Sequence, residues 1–165
     1  VHCTEDAKET ILNAAGRVAS MRVLYEKLFN DDDYSELEIT SYITNLIDEI
    51  LQIFSFNDIE IEKDIENIKL SSRYLFPIGI MSNELVTNAM KYAFTDQITG
   101  KLSVSIKKNN DTVTIIVSDN GKGYDNRFGN KGFGLDLVKL LAEQIEAKIE
   151  IKSESGTETK ITFQY

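Results

Sequence analysis

The chain has 165 residues, 42% of them hydrophobic, with eight Phe and seven Tyr, enough for one core of ordinary size and one appendage. Eighteen basic residues against 27 acidic ones give a formal net charge of -9, which argues against a nucleic-acid footprint, because such a surface does not neutralise backbone phosphates. The single Cys3 excludes an internal disulfide, and no run approaches the roughly 18 apolar residues that a membrane span needs.

The expectation is therefore a segment that works in the cytoplasm without membrane contact of its own. It opens with Val1 rather than Met, which reads as a piece cut from a longer parent, one whose membrane anchoring this segment leaves open. From Ala7 the apolar residues fall at Ala7, Ile11, Ala14, Val18, Met21, Tyr25 and Leu28, a 4-3-4-3 spacing that keeps one stripe toward a partner helix. Residues 1–30 are thus expected to be a bundle or coiled-coil helix; packing of that stripe on the chain's own domain is the alternative. Asn30, Asp31, Asp32 and Asp33 stop the pattern, and 31–39 reads as a solvated linker before a domain over 40–165.

Thr40 or Ser41 is placed to cap a second helix, whose apolar residues Ile43, Leu46, Ile47, Ile50 and Phe54 recur at helical spacing. Ile59 and Ile61 alternate with Glu60 and Glu62, the period of a half-buried strand. The single Pro77 is expected in the first turn of a helix that runs to about Phe94. Alternating runs from Lys101 to Lys107 and from Thr112 to Ser118 flank Asn109, Asn110 and Asp111, which is hairpin chemistry. Helical spacing returns from Leu135 to Ile145, and a second hairpin turns at Ser155, Gly156 and Thr157. This order predicts an α/β two-layer sandwich, one mixed sheet covered on one face by three helices.

Five glycines lie between Gly121 and Gly134. Such density means that backbone approaches something closely or takes positive φ. One pair follows a strand directly, and Gly132 and Gly134 open a helix whose free N–H groups favour phosphate. Neither the P-loop pattern nor G-x-G-x-x-G is present, because Asn126 stands where the latter needs its third glycine. On the preceding long helix, Glu84, Asn88 and Lys91 fall at i, i+4 and i+7, so a carboxylate, a carboxamide and a cation share a face. Taken alone they fit a solvated helix face. Magnesium and triphosphate would give them a purpose, since oxygen ligands suit the metal and Lys suits phosphate.

The segments NELVTNAMKYAF (Asn83 to Phe94), DNGKGY (Asp119 to Tyr124), GFGLDLV (Gly132 to Val138) and GT at Gly156 and Thr157 resemble the N box and glycine-containing boxes of the gyrase, chaperone, histidine-kinase and MutL ATPase superfamily, with its Bergerat-type fold. Arg17, Ser20, Met21, Tyr25, Glu26 and Leu28 resemble the end of the dimerisation hairpin in sensor histidine kinases with a short ATP lid. Tyr25 departs from the His that this subgroup commonly has before the Glu.

What the resemblance implies is an ATP-binding catalytic domain that transfers the γ-phosphoryl group to a histidine for relay to the receiver-domain aspartate of a response regulator, in a homodimeric parent. Asp119 would read the adenine amino group, with Gly121, Gly123 and Thr157 around the base. Asn88 would ligate magnesium, with Lys91 near the phosphates. Asp125 to Lys131 would form a lid hinged at Gly132 and Gly134, with Leu135 at its base. Glu84 would polarise the attacking group. The acceptor histidine of such kinases lies earlier than this segment, so His2 is not expected to serve and the segment is not expected to phosphorylate itself. Two rivals remain: an anti-sigma-factor serine kinase, which the heptad stripe disfavours, and an adenine-nucleotide sensor without transfer chemistry.

Overall fold

The computed structural model describes residues 37–54, 58–94, 99–123 and 133–165, together with Ile11, Ala14, Ala15, Val18 and Arg22, all of them helical. The elements in chain order are β1 (Leu37–Glu38), α1 (Ile39–Ile53), β2 (Ile59–Ile65), β3 (Lys69–Leu70), α2 (Ser72–Asn88), β4 (Gly100–Asn109), β5 (Thr112–Asp119), α3 (Phe133–Gln144), β6 (Lys148–Ser153) and β7 (Thr157–Gln164). A π-helical turn, Ala89–Ala93, extends α2.

Five strands form one mixed sheet in the order β2-β4-β5-β7-β6. Only β2 and β4 run parallel; the other pairs are antiparallel. Leu102, Val104 and Ile106 of β4, Val113, Ile115 and Val117 of β5, and Ile161 and Phe163 of β7 are buried on one face. The alternate positions are Ser103, Ser105, Thr114 and Thr162, so alternation along each strand separates core from open face. The helices close the core. Ile39, Tyr42, Ile43, Leu46, Ile47 and Ile50 form the buried stripe of α1, and α2 packs between α1 and α3. At Gly79 a Cβ would lie 1.7 Å from the Tyr42 hydroxyl, so this glycine is what lets α1 approach α2. Asn110 turns the β4–β5 hairpin with φ 53, a conformation Asn tolerates better than most residues.

Several local expectations are corrected. The solvated linker does not extend to Ile39: Leu37 and Ile39 are buried, and β1 pairs with β3. Neither Thr40 nor Ser41 caps α1, which starts after Glu38 without a side-chain cap; the Thr40 hydroxyl instead donates to the Glu66 carbonyl at 3.2 Å. Pro77 sits beyond the first turn because α2 begins at Ser72. The Pro77 ring is buried, so a position that lacks an N–H donor is placed in the apolar core. Tyr92, which continues the 3–4 spacing of the apolar residues Ile78, Met81, Leu85 and Ala89, is nevertheless 51% exposed, while Ala93 and Phe94 are buried. The wider π turn takes up one extra residue, so the positions beyond it are rotated relative to a continuous α-helix. Of the heptad stripe, Ile11, Ala14 and Val18 are exposed; Ala7, Met21, Tyr25 and Leu28 lie outside the described residues. Arg22 pairs with Glu49 of α1 at 2.8 Å.

Candidate functional site

The site is assembled where the end of β5 meets the start of β7. Asp119 and Thr157 are register partners there. Asp119 Oδ1 accepts from the Gly121 N–H at 2.9 Å and from the Thr157 N–H at 3.2 Å. Burial pushes this carboxyl above the ordinary Asp range, and the hydrogen bonds from Gly121 and Thr157 pull partly the other way. A half-buried carboxyl raised by burial and held by two main-chain N–H groups is a candidate functional group.

The glycines make that place narrow. Gly156 has φ 102, and a Cβ on it would lie 1.9 Å from the Asp119 carbonyl oxygen. Gly123 has φ 76 and lies against Ser153 and Gly156. At Gly121 a Cβ would come within 2.3 Å of the Ala93 carbonyl oxygen, and the same oxygen accepts from the Lys122 N–H at 3.1 Å. Asn120 ties the loop to β4 in both directions: its N–H donates to the Lys101 carbonyl at 3.1 Å, and its Oδ1 accepts from the Lys101 N–H at 2.7 Å.

α2 is the second wall. Glu84 is 5% exposed, and Asn88 and Lys91 are half-buried. A Cβ at Gly134 would lie 2.5 Å from Glu84 Oε2 and 3.7 Å from Asn88 Nδ2. Gly134 therefore lets the first turn of α3 press against the polar face of α2, and the first N–H groups of any helix have no partner within it. Next to Glu84, Ser82 and Asn83 are buried, and Ser82 Oγ and Asn83 Oδ1 have no partner among the described residues. Buried polar atoms left without a partner cost about 1–3 kcal/mol each, so this turn of α2 is not shaped by packing alone.

The sequence-derived site residues fall into two groups joined by α2. Asp119, Gly121, Gly123 and Thr157 converge at the β5 and β7 ends. Glu84, Asn88 and Gly134 converge at the start of α3, with half-buried Leu135 beside them on the same turn. Lys91 lies on the π turn, outside the α-helical part that carries Glu84 and Asn88. Gly132 and the expected lid, Asp125 to Lys131, lie outside the described residues. Sequence reasoning missed Ala93, whose contribution is a main-chain carbonyl, and the Asn120 tie to Lys101; neither has a side-chain signal that spacing reveals. Among the described residues no group of three or more His, Cys, Asp or Glu side chains could hold a metal ion. A divalent cation at Asn88 would therefore draw most of its ligands from phosphate and water oxygens, as magnesium commonly does. The carboxamide, the cramped start of α3 and the desolvated Asp119 suit a magnesium nucleotide.

Residues 77–165 match the family model described as histidine kinase-, DNA gyrase B- and HSP90-like ATPase, and residues 2–54 match one described as histidine kinase. The second match runs through α1. The chain is 29% identical over 105 residues to the signal transduction histidine-protein kinase/phosphatase DegS of Bacillus subtilis, covering 61% of this chain and 26% of that protein. It is 29% identical over 130 residues to the heme sensor protein HssS of Staphylococcus saprophyticus, covering 67% of this chain and 27% of that protein. The chain thus spans about a quarter of the length of these relatives. The histidine kinase domain of a blue-light-activated histidine kinase from Erythrobacter litoralis shares the fold, with a TM-score of 0.86 at 19% identity over 92% of this chain and 74% of that one.

Proposed function

The chain belongs to the family of histidine kinase-, DNA gyrase B- and HSP90-like ATPases, and from that premise we propose that it is the ATP-binding catalytic domain of a sensor histidine kinase. The observation that carries the reading is the setting of Asp119. Its carboxylate is held by the Gly121 and Thr157 N–H groups, is partly desolvated, and is flanked by Gly121 and Gly156, whose missing Cβ atoms let the end of α2 and the β7 turn pack closely on the end of β5.

In this reading Asp119 accepts a hydrogen bond from the adenine amino group, and Gly121, Gly123 and Thr157 shape the wall around the base. Asn88 contributes a carboxamide oxygen to magnesium, and Lys91 a cation near the triphosphate. Bound there, magnesium would offset the triphosphate charge that grows during transfer. The first turn of α3, at Gly134 and Leu135, offers N–H groups to phosphate oxygens, and Gly132 joins it as the hinge of the 125–131 lid. Glu84, buried beside Gly134, orients the attacking group by accepting its hydrogen bond. The rest of the catalysis is positioning and charge stabilisation.

The acceptor is a histidine of the dimerisation region, and the phosphoryl group passes on to a response-regulator aspartate. The parent works as a homodimer, with this segment in the cytoplasm. The amino-terminal segment, residues 1–30, is its link to the dimer, and the catalytic domain follows it, with Leu37 and Ile39 already part of its core. Calorimetric titration with ATP and ADP, with and without magnesium, tests the reading. Magnesium-dependent binding is expected, and no heat of binding at millimolar nucleotide contradicts it.

A further inference from the structure

The Ala93 main-chain carbonyl is at the end of the π turn that finishes α2. The last carbonyls of a helix have no partner within it. This one faces the loop after β5, where it accepts from the Lys122 N–H at 3.1 Å. Gly121 is packed so tightly on it that a Cβ would lie 2.3 Å from the Ala93 oxygen and 2.5 Å from the Ala93 Cβ. The same Gly121 donates its N–H to Asp119 Oδ1. Ala93 itself is 6% exposed, so the wall it offers cannot give way easily.

The π turn is what brings this carbonyl to the loop. In a continuous α-helix, Ala93 would be turned by about one residue's rotation, roughly 100°, and exposed Tyr92 would take its place against the core. Such turns recur at functional sites. Here the turn joins the helix that carries Glu84 and Asn88 to the loop that holds Asp119.

We propose that Ala93 is a positioning residue for base recognition: its main-chain carbonyl, brought to the loop by the π turn, fixes Gly121 and thereby aims the Asp119 carboxylate. Base selectivity then depends on a group with no side chain in the site. The inference rests on the adenine-nucleotide reading given above.

Lys122→Pro removes the N–H donor, and Lys122→Ala, which keeps it, is the reference for the shortened side chain. The Lys122 backbone is not in the positive-φ region, so proline is compatible with it in that respect. The readout is the ratio of ATP to GTP affinity by calorimetry, which a purely structural contact would leave alone while lowering the melting temperature. In Lys122→Pro the ratio should fall at least about fivefold relative to Lys122→Ala, the loss of one ordinary hydrogen bond's worth of aim, with a cooperative unfolding transition retained. An unchanged ratio overturns the proposal. If Lys122→Pro does not unfold cooperatively, Gly121→Ala decides: it keeps the donor but forces a Cβ against the Ala93 carbonyl, and its ATP preference over GTP should also collapse, whereas an intact preference overturns the role of Ala93. A Lys122→Ala chain that binds ATP no better than GTP would instead overturn the adenine reading itself.

Discussion

Asp119 and Thr157 face each other as the final register pair of β5 and β7, and the Thr157 N–H donates to Asp119 Oδ1 at 3.2 Å. A sheet ladder thus ends in a side-chain contact. The carboxylate is fixed by backbone that the sheet itself immobilises, which is the preorganisation that discrimination between bases requires.

Gly156 is the residue on which that geometry most depends. Gly156→Ala places a Cβ 1.9 Å from the Asp119 carbonyl oxygen at a φ of 102. The clash is with backbone, and alanine is strained at that φ. Destabilisation of at least about 2 kcal/mol is expected. Chemical denaturation of the variant against the wild type measures it, and a midpoint within error of wild type would show that the turn relaxes freely.

Gly134→Ala should separate folding from turnover. The atom a Cβ meets there is Glu84 Oε2, the end of a flexible side chain, so the helix can stay in place while the carboxylate moves. Phosphoryl transfer by the parent kinase should fall about tenfold or more, with nucleotide affinity changed far less. Equal losses in turnover and affinity would remove Glu84 from the chemistry.

How much of this was legible in the sequence differs by element. The glycine boxes could be placed because glycine is kept where backbone needs positive φ or close approach, and Gly121, Gly123 and Gly134 do have such neighbours. The five main strands followed from alternation, since the sheet has one wet face. What did not show were features decided by tertiary packing: the two-residue pair β1 and β3, the π turn that moves Tyr92 outward, and the start of α2 at Ser72, five residues before Pro77. Thr40 looked like a cap, yet its hydroxyl reaches the Glu66 carbonyl instead. Local sequence carries no record of such distant partners.

Asn88→Ala should weaken magnesium-nucleotide binding more than metal-free binding, because the carboxamide oxygen is proposed as a metal ligand. Titrations with ATP in magnesium and in EDTA give the two losses. Equal losses would place Asn88 in the wall of the site and not at the metal.

Stability and binding should respond to Asp119 in opposite directions. Its folded-state pKa is raised above the ordinary 3.8 by burial. The folded chain therefore holds that proton more tightly than the unfolded one: the contribution to stability is fully present below the unfolded pKa and is lost as pH rises through the folded pKa. At neutral pH the ionised group works against folding. Nucleotide binding has the reverse dependence, since the ionised form is the acceptor, so ATP affinity should begin to fall on acidification at a higher pH than an ordinary Asp would give. Affinity measured from neutral pH down to the edge of acid unfolding checks this; in Asp119→Asn that portion of the pH dependence should vanish.

The most direct measurement is calorimetric binding of ATP and GTP to the wild type and to Asp119→Asn, beside thermal unfolding of both. Asn keeps an Oδ1 that can accept from the Gly121 and Thr157 N–H groups and carries no charge to desolvate, so the variant should remain folded with a melting temperature at or above that of the wild type. It loses the charge that draws the adenine amino group, worth roughly 1.5 to 3 kcal/mol, so ATP affinity should fall about tenfold to a hundredfold and the preference over GTP should go with it. A folded Asp119→Asn chain that binds ATP as tightly as wild type, with its preference over GTP intact, would contradict the account at its centre.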